Sequence, residues 1–382
     1  MPAAPVLRRT PFPFRAGSAD SLELESDEKM QPLLTIRVPG KVLLTGEYAV
    51  LDGAPAIAAA VSRFVECRAL PSDKWEISGA GLTWQEGGTP VPGLNFACEA
   101  LRLARLYLEG IGAKLPAARL LLTDDLRAPD GQKLGLGGSA CVCAAVVSAV
   151  LGLAGARGSA SLNMDEAALR QLIFRLAACA HVIAQGKTGS CVDVAASVFR
   201  GVILTEKFDA ARLCEAVGLG AAGFSRSVDE QPPHPFRHLP APGQLLLLFG
   251  GRSASTTVHV ASVREAARRH PEAWRAFVDE SAAATEALAC ALTSGDAAGV
   301  LQAVERSFEA LDKFTPLTGI DITPANHRRF REAAKRAGAA AKPSGAGGGD
   351  VAYALGSEAA LSRLLFELQA PGAVAFMADV IS

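Results

Sequence analysis

The sequence predicts an α+β protein built from two domains. Three observations carry this. The first ordered-looking stretch is a series of short apolar bursts broken by turns, long helical periods follow, and the last third alternates strand-like runs with helices. At 382 residues the chain is long enough for two cores. The boundaries expected are a disordered extension over 1–29, a first domain over 30–215 and a second over 216–382.

Residues 1–29 carry prolines, Arg8, Arg9 and an acidic patch, with no periodic apolar pattern and no compact apolar core of the kind a signal peptide needs. From Leu33 to Val61 the chain reads as strands joined by turns at Pro39-Gly40, Gly46 and Asp52-Gly53, which set Lys41 and Glu47 where strands emerge from loops. Asn95 to Glu109 reads as a helix with Asn95 as its N-cap and Gly110 just beyond its last turn. A short strand follows over Ala118–Asp124.

Then comes a glycine cluster, GQKLGLGGSACVCAAVVSAVL from Gly131, that opens onto a small-residue apolar run. Gly135, Gly137 and Gly138 let a ligand approach the main chain, and Ser139 falls where a helix begins. Free amides, the positive end of the helix dipole and a hydroxyl then converge, which makes an anion cradle. A Walker loop is ruled out, because His181 stands where the first glycine before Gly186-Lys187-Thr188 is needed. Gly135-x-Gly137-x-x-Ala140 fits a dinucleotide fingerprint only in letters, since no strand runs into it and no acidic residue follows at the required distance.

Asn163 to Gln185 reads as a helix opened by an Asn163/Glu166 capping box and closed by Gly186, with His181 packed and hydrogen-bonded beside its apolar stripe. Residues 186–206 read as a glycine-punctuated loop carrying Asp193 ahead of an apolar run, and 207–242 as the crossing between domains. The second half starts with the strand QLLLLFG and the GRSAST stretch. Helices through Arg269, over Glu272–Leu292 and over Asp296–Leu311 follow, and another runs from Thr323-Pro324 to Gly338. A glycine-rich hairpin, AKPSGAGGGDVAYAL, leads to a helix over Glu358–Leu368 and a terminal strand.

A net charge of -1 provides no basic field for nucleic acid or an anionic membrane. No apolar run is expected to reach the length of a bilayer span. The eight cysteines mostly lack metal-ligand spacing, Cys141-x-Cys143 being the one close pair, and sit in apolar or small-residue contexts, as buried thiols of a reducing cytoplasm do.

In order and spacing, the three glycine loops resemble the motifs of the GHMP kinase superfamily, and the likeness runs from Leu33 to the C-terminus. Pro39-Gly40-Lys41 with Gly46-Glu47-Tyr48-Ala49-Val50 matches the first motif. Leu134 to Ala140 matches the second, and Lys342-Pro343-Ser344-Gly345-Ala346-Gly347-Gly348-Gly349-Asp350 the third. GEYAVL, Lys133, GSCVDVAAS, GRSAST and KPSGAGGGD look most like the bacterial phosphomevalonate kinase branch. Gly138 departs from the family's usual GLGSSA, where a serine stands.

The resemblance implies a two-domain GHMP kinase fold: an N-terminal domain like the second domain of ribosomal protein S5, a ferredoxin-like C-terminal domain and a site between them. It implies ATP and Mg2+ as cofactors and ATP-dependent phosphorylation of 5-phosphomevalonate to 5-diphosphomevalonate in the mevalonate pathway of isoprenoid biosynthesis. Mevalonate, homoserine or a sugar is the alternative acceptor. A catalytically silent sensor and a dinucleotide-dependent oxidoreductase are the rivals from other classes.

By the same likeness Lys41 and Asp193 are catalytic. Lys133, Gly135, Leu136, Gly137, Gly138, Ser139 and Ala140 hold the nucleotide, with Ser139 on the metal. Lys41, Glu47, Tyr48, Ser190, Arg252, Ser253, Lys342, Ser344, Gly345, Ala346, Gly347, Gly348 and Asp350 face the acceptor. The protein is expected to be cytoplasmic, a monomer or homodimer, with no nucleic-acid or membrane partner.

Overall fold

A computed structural model describes residues 31–128, 130–156, 164–186, 189–251, 256–368 and 374–382. The expectations for residues 1–29, Asn163, Arg252 and Ser253 lie outside these.

The first domain is built on a seven-stranded sheet, in the order β4-β3-β5-β2-β6-β7 with β1 on the other edge of β2. Its axis is the long strand β2 (Ala56–Pro71). β1 (Leu34–Thr45) pairs with it antiparallel, with irregularities at Pro39/Gly40 and Leu43/Thr45. Those breaks fall where the first motif leaves the ladder, because proline cannot donate and a bulge re-aims the side chains that follow. β3 (Glu76–Gly79) and β4 (Leu82–Gln85) form a hairpin, β3 runs parallel to β5 (Ala118–Asp124), and β5 pairs antiparallel with β2. β6 (Val202–Thr205) joins the other end of β2, and β7 (Phe236–Leu239) joins β6.

Helices α1 (Asn95–Gly110), α2 (Gly138–Ala156), α3 (Glu166–Gln185) and α4 (Val192–Phe199) supply buried residues to the same core as the sheet. Two of them are apolar and long enough to cross a bilayer by length and composition, contrary to expectation: Gly138–Gly155 with mean hydropathy 2.0 and Glu166–Gln185 with 1.4. In the fold 67% and 50% of those windows are buried, so the hydropathy belongs to core helices.

Several boundaries differ from those read in the sequence. Asn95 is the first helical residue rather than the cap, and its side chain donates to the Ala184 carbonyl at 3.2 Å, tying α1 to α3. Asp165 caps α3 by accepting from the Ala168 amide, a role assigned to Asn163. The stretch 207–242 is not a bare crossing. It holds α5 (Ala211–Ala216), α6 (Gly220–Asp229) and β7. Tyr107 on α1 donates to Asp229 on α6 at 2.9 Å. The sheet of the first domain therefore takes its last strand, β7, from residues beyond 215.

The second domain carries a four-stranded antiparallel sheet in the order β11-β8-β10-β9: β8 (Leu245–Phe249), β9 (Ala339–Pro343), β10 (Val351–Gly356) and β11 (Val374–Ala378). Counted along this domain the order is 4-1-3-2 with helices between the first and second and between the third and fourth strands, the split β-α-β-β-α-β arrangement of ferredoxin-like folds. α7 (Thr256–Arg269), α8 (Pro271–Ser294), α9 (Ala297–Thr318) and α10 (Ala325–Ala337) precede β9, and α11 (Glu358–Glu367) precedes β11. The continuous apolar run of β8 is explained by burial on both faces. Leu245, Leu247 and Phe249 join the core shared with the first domain, while Leu246 and Leu248 pack with Phe330, Ala334 and Leu361 beneath α10 and α11. α9 runs past its expected end at Leu311 to Thr318, with Pro316 inside.

The chain then returns. Val380 bridges to Val61, the Ser62 amide donates to the Asp379 carbonyl at 2.9 Å, and the Gly201 amide donates to that of Ile381 at 2.6 Å.

Burial holds two histidines neutral, with pKa values pushed down to about 4: His234, bonded to Thr205 Oγ1 at 2.7 Å, and His327, which donates to the Asp350 carbonyl at 3.0 Å. The unfolded chain binds protons at these rings from about pH 6.5 downward, so stability is lost as pH falls through that window. Urea unfolding is expected to show a loss of up to about 3 kcal/mol per histidine between about pH 6.5 and about pH 4. A flat profile there would contradict it.

Candidate active site

A cleft of about 520 Å³ opens between the domains, and four separated stretches contribute to its lining among others: the first motif, the glycine cradle, the loop and helix around Asp193, and the 344–350 hairpin. The loops expected from the sequence to meet do meet there.

The cradle is shaped by Gly135 and Gly137, at φ 78° and 81°. A Cβ on Gly135 would lie 2.7 Å from Asp350 Cγ, and one on Gly137 would lie 3.0 Å from Lys41 Cγ. Only glycine lets the second motif touch the first and third together. α2 starts at once, its first helical bond running from the Cys141 amide to the Gly137 carbonyl at 3.0 Å. The earlier amides of that turn are left without intrahelical partners, at the positive end of the helix.

Lys41 is tied to the cradle twice. Its amide donates to the Leu136 carbonyl at 2.9 Å and its ammonium reaches the Gly135 carbonyl at 3.4 Å. A Cβ on Gly345 would sit 3.7 Å from that ammonium, so Lys41 lies between the second and third motifs. Asp193 is on a helix, not in a loop as expected: it sits in the first turn of α4, after Cys191 at φ 57°. Its Oδ1 accepts from the Val194 amide at 2.9 Å, and Oδ2 lies 3.8 Å from His181 Nε2. The Ser139 hydroxyl is 3.0 Å from the same ring nitrogen. His181 is buried and bonded as expected, yet it also lines the cleft, which the sequence reading missed. Forty-two residues separate it from Ser139, and no local pattern announces the pair.

Lys342 departs from its expected role as an acceptor clamp. Its ammonium is fully buried, paired to Glu47 and donating to the Pro343 carbonyl at 3.0 Å, and it is not among the residues lining the cleft. Burial pushes the Glu47 carboxyl up and the Lys342 ammonium down, against their mutual attraction. The pair is a join between domains, and it has company. Ser344 Oγ accepts from the Leu43 amide at 2.8 Å, Tyr353 donates to the Leu44 carbonyl at 2.6 Å and Tyr48 donates to the Ala346 carbonyl at 2.6 Å. Burial, then the neighbouring Glu47 charge, raises the Tyr48 phenol, which stays a donor. Beyond them Asp52 holds Arg264 at 2.8 Å and Trp274 Nε1 at 2.7 Å.

Of the remaining expected residues, Lys133, Leu136, Gly138, Ser190, Ser344, Gly345, Ala346 and Asp350 line the cleft with Glu47 and Tyr48, Lys133 at its exposed rim. Ala140 is buried beneath it. Gly347 and Gly348 face elsewhere than expected: a Cβ on Gly347 would meet the Ile322 carbonyl at 2.2 Å, and the Gly348 amide donates to that oxygen at 2.9 Å.

Two family models match the chain, GHMP kinases N terminal domain over residues 95–201 and GHMP kinases C terminal over 282–374. The phosphomevalonate kinase of Streptomyces sp. strain CL190 is 32% identical over 353 residues, which cover 85% of this chain and 90% of that protein. The mevalonate kinase of Thermococcus gammatolerans is 28% identical over 343 residues, 84% and 88% of the two chains. Among solved structures, Streptococcus pneumoniae phosphomevalonate kinase in complex with phosphomevalonate and AMPPNP matches with a TM-score of 0.74 at 21% identity, over 90% of this chain and 100% of that one.

Proposed function

The chain belongs to the GHMP kinase superfamily, and from that premise we propose that it is a phosphomevalonate kinase, moving the γ-phosphoryl group of ATP onto the phosphate of 5-phosphomevalonate. The observation that carries the choice of acceptor is the likeness, over most of both chains, to the Streptomyces phosphomevalonate kinase, ahead of that to the mevalonate kinase.

Phosphoryl transfer asks for positioning and for charge stabilisation more than for covalent help. In this reading the first-turn amides of α2 and the Ser139 hydroxyl hold the triphosphate. Lys41 lies where the transferred group crosses, and Asp193 stands on the acceptor side. An oxygen of the acceptor phosphate attacks the γ-phosphorus, the bond to the β-bridging oxygen breaks, and ADP leaves with the electron pair. The acceptor is already ionised near neutral pH, so Asp193 has no obligatory proton to remove.

Mg2+ fits the donor set. Such an ion takes one or two protein oxygens and fills its shell with phosphate oxygens and water. Ser139 and Asp193 offer those oxygens on the cleft, and no cluster of three acidic, histidine or cysteine ligands exists among the described residues. Bound with the nucleotide, the ion neutralises charge on the β- and γ-phosphates. The free thiols agree with a cytoplasmic enzyme. A monomer or a homodimer serves equally, because one chain furnishes every cleft residue named here.

The test is release of ADP from Mg·ATP with each acceptor. Turnover is expected with phosphomevalonate and not with mevalonate, and the reverse pattern would assign the chain to the other branch. Asp193→Asn is expected to lower kcat on phosphomevalonate by less than about tenfold, below the 10²–10⁴ range of a general base. A loss within that range would make Asp193 the base.

A further inference from the structure

We propose that His181 is a positioning residue whose ring proton sits on Nε2 and is donated to Ser139 Oγ, turning the serine's own O–H into the cleft as a donor to a phosphoryl oxygen. This rests on the kinase reading and deepens it.

Proton accounting leads to this assignment. A neutral imidazole has one N–H and one lone pair, and its neighbours decide which nitrogen holds which. Both oxygens near the His181 ring face Nε2: Ser139 Oγ at 3.0 Å and Asp193 Oδ2 at 3.8 Å. Among the described residues the ring makes no other hydrogen bond. A lone pair on Nε2 would point at the Asp193 carboxylate and put the N–H on Nδ1, for which no protein acceptor stands among the described residues. A proton on Nε2 satisfies the serine and meets the carboxylate with the favourable sign.

The consequence reaches the ligand. A hydroxyl has one proton and two acceptor sites. With one acceptor site taken by His181, the Ser139 proton and its remaining lone pair are directed away from the ring. The serine stands at the start of α2, where the first-turn amides already favour an anion. His181 thereby makes the serine's hydroxyl a fourth kind of donor beside the amides, the helix dipole and Lys41. Packing holds the ring in this orientation, since it is buried and lies 5.3 Å from the Phe96 ring, centroid to centroid.

Two measurements test this. In full-length protein labelled with 15N-histidine, a long-range 1H–15N correlation at neutral pH reads which ring nitrogen carries the proton, with His181→Gln identifying the signal. A proton on Nε2 is expected, and a proton on Nδ1 would overturn the assignment without touching the kinase reading, since no turnover is involved.

In the second, His181→Gln, whose amide nitrogen falls close to Nε2, is expected to keep kcat within about threefold, while His181→Leu loses about tenfold or more, the worth of one hydrogen bond, with the KM for phosphomevalonate unchanged. In a Ser139→Ala background the difference between the two variants should vanish. Equal losses in both, or a difference that persists without the serine, would reduce His181 to a packing residue.

Discussion

Lys41→Met is expected to lower kcat by about 10²–10³-fold, the loss seen when one preorganised charge-stabilising donor is removed from an active site. Methionine keeps most of the apolar stem that packs across Gly137, so the loss reports the ammonium and not the packing. Among the described residues that ammonium has one hydrogen-bond partner, at the edge of range, the Gly135 carbonyl at 3.4 Å. It is therefore available for anionic oxygens, with the cradle on one side and the 345 turn on the other. Two anions must meet for a phosphate to accept a phosphoryl group, and their repulsion is what a central cation relieves. Steady-state ADP release checks the prediction, alongside a thermal melt to show that the fold is kept. A kcat within about threefold of the parent, with only KM raised, would mean that Lys41 serves ground-state binding alone.

Lys342→Met is expected to destabilise the protein by about 3–5 kcal/mol, because it leaves the Glu47 carboxylate buried without its partner. The effect has a pH signature. Burial already raises the Glu47 pKa, and loss of the lysine removes the attraction that opposed it. A carboxyl whose pKa is raised on folding binds more protons in the native state, so the variant should gain stability as pH is lowered through its raised pKa toward the ordinary carboxylate range. Adding Glu47→Gln should recover much of the loss, since a neutral pair has no charge to desolvate. Guanidinium unfolding of the parent and both variants measures this. A single variant within about 1 kcal/mol of the parent, with no pH slope, would show that the pair contributes little.

The glycine loops are legible in the sequence because each needs backbone angles or close approaches that few residues allow, and those needs show in the letters around Gly135 and Gly345. The apolar periods of α1 and α3 and the hairpin between β9 and β10 are legible for the same local reason. What stays hidden is contact between residues far apart in the chain. Nothing near Lys342 says that it will meet Glu47, 295 positions earlier, instead of a substrate. A lysine beside a glycine loop looks the same in both cases. His181 reads as a packed histidine because its helix is apolar, and only the approach of α2 gives its ring nitrogen a serine. Asp193 reads as a turn residue, since a glycine-rich approach masks a short helix that starts from a strained Cys191. The strand β7 is hidden too, because it joins β6 through pairing that composition does not reveal.

The returning tail bears on how the protein is made. Asp379 lies 317 positions after Ser62, yet it completes the hydrogen bonding of the strand on which the whole first sheet hangs. As the chain leaves the ribosome, that strand keeps an open seam until residues 379–381 have emerged, so the leading half waits, partly formed, for a late stitch. Severing the two halves at the cleft would therefore also part Val380 from Val61 and leave the Ser62 and Gly201 amides to find water instead.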